Sequence, residues 1–97
     1  MFPVIEVSGA AFERGRAHGT RARARVERSI AHYASLFGHC GIGWNDAQRQ
    51  GETYREVIGE FDPELLEEIE GIAAGAGRAA AEILALNART EILPPTF

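Results

Sequence analysis

The sequence predicts an α+β chain, mainly helical, with one N-terminal strand. Three observations carry that expectation. Val26, Ile30, Tyr33 and Phe37 recur at i, i+4, i+7 and i+11, one face of a 3.6-residue repeat. Asp62-Pro63-Glu64 has the order of a helix start: a capping acid, a proline in the first turn and a second acid beside it. The stretch "FPVIEV", residues 2–7, is rich in β-branched side chains and is bounded by Ser8-Gly9, as a strand would be.

Each element follows in chain order, and the 97 residues are read as a single piece. The strand covers residues 2–7. A long helix is expected over about residues 10–37, carrying the Val26–Phe37 face and stopped near Gly38. Gly15 and Gly19 weaken its first half by about 1 kcal/mol each against alanine. Their four-residue spacing also puts them on one stripe, where another backbone could come close. After the loop "HCGIGW", Asn45 offers a cap with Gln48 three residues on, which starts a second helix over about 46–60. Gly51 and Gly59 interrupt it. The third helix spans about 63–75, with Leu65, Leu66, Ile69, Ile72 and Ala73 on its apolar side and Gly75/Gly77 at its end. "GIAAGAG" matches neither GxxxxGK[ST] nor a strand-to-helix GxGxxG, and is read as a helix-to-helix connection. The last helix, about 79–91, is apolar nearly all round through Ile83, Leu84, Leu86 and Ala88. Pro94-Pro95 cannot continue it.

Two features make the chain read as incomplete. A lone strand leaves its backbone groups without partners. The last helix is apolar on more sides than so short a chain is expected to cover, since roughly 60–65% of the surface of a chain this size is buried on folding. A second polypeptide is therefore expected to complete the fold.

Composition narrows the classes. Hydrophobic residues make up 45% and charged residues 25%, which fits a folded chain rather than a disordered one. All ten basic residues are arginine, and the net charge is −4. Residues 1–40 carry six Arg and three Glu, whereas residues 41–97 carry four Arg and eleven acids. "RGRAHGTRARARVER" could meet phosphate. No aromatic residue interleaves the arginines, however, and an exposed helix face, or one paired with the acidic stretch Glu60–Glu70, accounts for it more simply. No nucleic-acid partner is expected. No run of 18 apolar residues occurs, so no membrane span is expected either. No basic-then-apolar leader opens the sequence, and a cytoplasmic location is expected.

Cys40 is the one cysteine, so no internal disulfide can form. His39 beside it suggests a nucleophile and base, but adjacent residues rarely have the geometry for proton transfer, and a structural cysteine is the simpler reading. His18, His32 and His39 have no compact ligand spacing, so no metal and no cofactor are expected. Asn87, Arg89 and Glu91 are polar positions in an apolar segment. If buried they must be paired, either within the core or against a neighbouring active site.

Three stretches together resemble one family. "VSGAAFERGRAHG" (7–19), "PELLEEIEGIAAGAG" (63–77) and "EILALNARTE" (82–91) are similar, in order and spacing, to segments of the isopenicillin N acyltransferase-like proteins, which are cysteine N-terminal nucleophile hydrolases. The likeness runs over almost the whole chain. It implies that the chain is the α-subunit of a self-cleaved precursor, with the processing site at or just after Phe97. It also implies that the strand and helices complete an αββα sandwich with a β-subunit from the same precursor, with a dimer of such heterodimers possible.

The resemblance further implies an amidohydrolase or acyltransferase acting on a small amide or thioester. The nucleophilic cysteine would open the β-subunit and use its own α-amine as base, a group whose ordinary pKa is about 7.7–8.0. That amine exists only after cleavage. No catalytic residue is assigned to this chain. Asn87, Arg89 and Glu91 are its candidates for supporting the site. The alternative expectation is a small non-enzymatic interaction module that docks through its apolar C-terminal helix.

Overall fold

Residues 2–7 open a helix, not a strand. The computed structural model describes the backbone of residues 2–89 and the side chains of residues 9–89. Six helices follow one another: α1 (Phe2–Arg21), α2 (Arg23–His39), α3 (Trp44–Thr53), α4 (Arg55–Phe61), α5 (Pro63–Ala76) and α6 (Ala80–Asn87). No strand occurs among the described residues. The α+β expectation is therefore corrected to an all-helical fold, and the strand that an αββα sandwich would draw from this chain is missing. The physical reason is hydrogen bonding. A single strand has no neighbour to satisfy its backbone groups, whereas a helix satisfies its own. Pro3 falls in the first turn, where its missing N–H costs nothing.

The long helix expected over 10–37 is present as α1 and α2. Ala22 departs from helical geometry, with φ −101° and ψ 19°. The ladder nevertheless runs through it: Ala22 N donates to His18 O and Val26 N to Ala22 O, both at 2.8 Å. The two helices thus form one distorted rod. Its end lies past the expected Gly38. Cys40 caps α2, Ile42 N donates back to Phe37 O at 2.8 Å, and Gly41 takes the left-handed conformation at φ 78°.

The helix expected over 46–60 is two helices. α3 starts at Trp44 behind Gly43, and Tyr54 separates it from α4. Gln48 turns back to Asn45 Oδ1 at 3.4 Å, but Asn45 lies inside α3 and does not cap it. The start of α5 agrees with expectation: Asp62 Oδ1 accepts from Leu65 N at 3.2 Å, and Pro63 opens the helix. α5 continues through Gly75 and stops at Gly77, whose φ is 70°. "GIAAGAG" is therefore mostly helix interior and not a connection.

The core forms where α2, α5 and α6 meet. Ile30, Ile69, Ala73, Ile83 and Leu84 make one buried cluster. Phe37, Ala47, Ala85 and Ala88 make a second, and Trp44 packs against both. Phe37 is completely buried and Leu84 is 1% exposed. The apolar faces of α6 are thus covered by this chain's own α2, α3 and α5. Ile83, Leu84 and Ala85 are buried without a second polypeptide, where the sequence led us to expect one.

α1 lies parallel to α5, and glycine sets how close they come. A Cβ on Gly15 would meet the Glu68 backbone, and one on Gly19 the Ile72 backbone. A Cβ on Gly71 would meet Phe12, and one on Gly75 would meet Arg16 and Thr20. Each of these would lie under 3.0 Å from a backbone atom. Two glycines from each helix therefore interleave along one seam. At each, a Cα hydrogen is aimed at a carbonyl of the facing helix, a contact worth about 0.5–1 kcal/mol. The close approach expected at Gly15 and Gly19 is found here, with α5 as the partner.

Candidate functional site at the start of helix α6

The most elaborate polar cluster surrounds Glu82, in the first turn of α6. Glu82 Oε1 accepts from Arg78 Nε at 3.0 Å and from Ala79 N at 3.3 Å. Oε2 accepts from Arg78 Nη2 at 2.8 Å and from Trp44 Nε1 at 3.0 Å. Its side chain is 12% exposed. Burial works to raise the pKa of this carboxyl. The hydrogen bonds from Arg78 and Trp44, together with the Arg78 charge, outweigh it and hold the group below its ordinary value. The hydrogen bond to Glu82 is likewise the main cause that raises the Arg78 pKa.

A carboxylate has about four lone-pair sites, and Glu82 has four donors on it. All of these sites are engaged, so a proton or a ligand would have to displace one of the four donors. Its role is to pin α6 to the start of α3 through the only tryptophan in the chain. The sequence did contain a signal for it. Glu82 stands three residues after Ala79, the position from which a glutamate reaches back to the helix N-terminus. Trp44 comes from a distant segment, and spacing could not have paired the two.

A second ionic group joins α3, α4 and α5. Arg55 donates to Glu52 at 2.8 and 3.1 Å and to Glu70 at 2.5 Å. The Arg55 hydrogen bond holds the Glu52 pKa below its ordinary value despite some burial, and the Arg55 pKa is raised. Other pairs are local: Arg16 with Glu13, Arg23 with Glu27, and Arg49 with Asp46. The expected pairing of the arginine-rich stretch of α1 and α2 with Glu60–Glu70 does not form among the described residues. Glu70 is held by Arg55 instead, and Glu68 faces a shallow groove of about 610 Å³ beside Arg14, His18 and Arg21.

The sequence-derived site residues do not converge. Asn87 ends α6 and is exposed. Arg89 is also exposed. It donates to Leu86 O at 2.7 Å, and its guanidinium lies 5.2 Å from the Tyr33 ring centroid. The cost of burying an unpaired polar group therefore does not act on either. Glu91 and the expected processing site at Phe97 lie outside the described residues. Cys40 is half-buried at the end of α2. His18, His32 and His39 are each exposed, and no group of three metal-ligating side chains comes together among the described residues. No helix among the described residues is long and apolar enough to cross a membrane.

No family model matches the chain, and no solved structure matches it. Among the described residues, Glu82 and Arg55 tie helices together, and the glycine seam joins α1 to α5.

Proposed function

We propose that the chain is the α-subunit of a self-cleaved cysteine amidohydrolase or acyltransferase, with the nucleophile supplied by a larger chain from the same precursor. One observation carries this reading. Residues 7–19 and 63–77, two of the three stretches that resemble the family, fit one another through their glycines. Gly15 and Gly19 of the first and Gly71 and Gly75 of the second are the positions that a side chain would block. A shared structural reason for both stretches supports reading them as one inherited unit. The third stretch, 82–91, begins at the Glu82 anchor.

On this reading the chain is scaffold and pocket wall. Asn87 and Arg89, exposed at the C-terminal end of α6, face outward, where a second chain could use them. Glu91 is the third candidate on motif position. The new α-amine of the partner's cysteine would take the thiol proton as sulfur attacks the amide or thioester carbonyl, and would return it to the amine or thiol that leaves as the C–N or C–S bond breaks. Water or an amine would then take the acyl group from sulfur and release the thiol. The strand over residues 2–7 has no part in the proposal. A cytoplasmic location is proposed with it.

Intact mass of the product of the full reading frame tests the idea. Two co-purifying chains, the larger beginning with cysteine, are expected. Replacing that cysteine with alanine is expected to leave one uncut, inactive precursor. A single unprocessed chain from the unaltered frame, or normal cleavage in the alanine variant, overturns it.

The rival reading, docking through the C-terminal helix, is not favoured, because Ile83, Leu84 and Ala85 are already buried inside the chain.

A further inference from the structure

Arg14, His18, Arg21, Arg25, Arg28 and His32 follow one another at steps of four and three residues along α1 and α2. At 3.6 residues per turn these steps keep Arg14, His18 and Arg21 on one strip of α1, and Arg25, Arg28 and His32 on one strip of α2. All six are exposed, and none belongs to an ion pair among the described residues. Ala17, Ala24 and Ala31 run beside these strips at seven-residue steps, also exposed, and leave them flat. Elsewhere in the fold, α4 and the first turn of α5 carry the opposite character. Glu56, Glu60 and Glu64 are exposed and unpaired among the described residues. They alternate with Val57, Phe61 and Leu65, which are 51%, 80% and 36% exposed.

We propose that these two faces bind each other between copies of the chain, head to tail. Charge complementarity decides the occupant. A polyanion or an anionic membrane would have to approach a molecule of net charge −4 that carries its own acidic face. The strips have no aromatic side chain for stacking on bases and no large apolar side chain to enter a bilayer. A second copy supplies three carboxylates for the basic strips and three apolar side chains for the alanine row. Exposed ion pairs are individually weak, so the contact is weak and salt-sensitive. Because the two faces differ, each bound copy keeps one free face, and assembly grows with concentration instead of stopping at two. The proposal does not depend on the α-subunit reading.

Sedimentation equilibrium of the 97-residue chain tests it. At about 20 mM salt the weight-average mass is expected to rise with concentration, and at about 1 M salt, where the screening length is near 3 Å, to return to 10.5 kDa. The variants Arg21→Glu/Arg25→Glu and Glu56→Arg/Glu60→Arg are each expected to stay monomeric at low salt. An equimolar mixture of the two is expected to associate, which also shows that both remain folded. A wild-type monomer at low salt, or a mixture that does not associate, overturns the proposal. So does binding of duplex DNA or anionic vesicles through the strips without self-association.

Discussion

Gly75 and Thr20 touch through their backbones: a Cβ on Gly75 would sit 2.8 Å from the Thr20 amide nitrogen. The Thr20 hydroxyl lies over the same place, 2.8 Å from Arg16 O and 3.5 Å from Gly75 O. Here α1 and α5 are in contact with no space between them. Glycine is therefore a packing requirement at this seam, whereas elsewhere in a helix it is usually a weakness.

Gly71→Ala and Gly75→Ala are each expected to destabilise the fold by about 1–3 kcal/mol, because the added methyl group forces the two backbones apart. Gly38, in α2, has nothing within 4 Å of its missing Cβ. Gly38→Ala is expected to be neutral or to stabilise by up to about 1 kcal/mol. Urea midpoints of the three variants check the contrast.

Acid should loosen α6. The folded-state pKa of Glu82 is depressed, so the unfolded chain binds its proton at higher pH than the folded chain does. Its contribution is complete above the unfolded value of about 4.3 and is lost as pH falls through the folded value. Glu82→Gln puts an amide among the Arg78 and Trp44 donors and should destabilise the fold at neutral pH. The stability gap between wild type and variant should shrink on acidification below about pH 4.3, as denaturation at a series of pH values would show.

Asp62→Ala should cost about 1 kcal/mol, because it removes the side chain that accepts from Leu65 N at the start of α5. Asp62→Asn, which keeps an acceptor, should recover most of the loss in thermal unfolding.

Leu84→Ala should cost about 2–5 kcal/mol, since Leu84 is enclosed by the core between α2, α5 and α6. Phe61→Ser, at a side chain that is 80% exposed, should change stability within about 0.5 kcal/mol. Comparable losses from the two would contradict the core described above.

The sequence made the helical faces legible because burial writes a 3.6-residue period into them. Ile30 and Phe37 on α2, and Ile69 and Ala73 on α5, fell where that period put them. The Asp62-Pro63 start was readable because it is local chemistry. The N-terminal segment was not. Val4, Ile5 and Val7 favour a strand by side-chain shape, but that preference counts only when another strand is present to pair with. Gly51 misled in the same way. It looked like an interruption, yet it is buried where α3 meets α6, and a Cβ there would lie 2.7 Å from Ala85 N. Its value comes from a segment more than thirty residues away. Asn87 and Arg89 were singled out by their place in the motif and by the cost of burying them unpaired; both are exposed, on either side of the buried Ala88, so the second reason does not act on them.

The interleaved glycines also bear on how this chain can vary over generations. Moving one of them by a single position rotates it about 100° around its helix and off the shared seam. Composition would be unchanged, yet the two rods could no longer mesh. Drift here is free in content and fixed in phase, so a lone insertion or deletion between Gly71 and Gly75 should be far harder to tolerate than several substitutions along the solvent-facing side of the same helix.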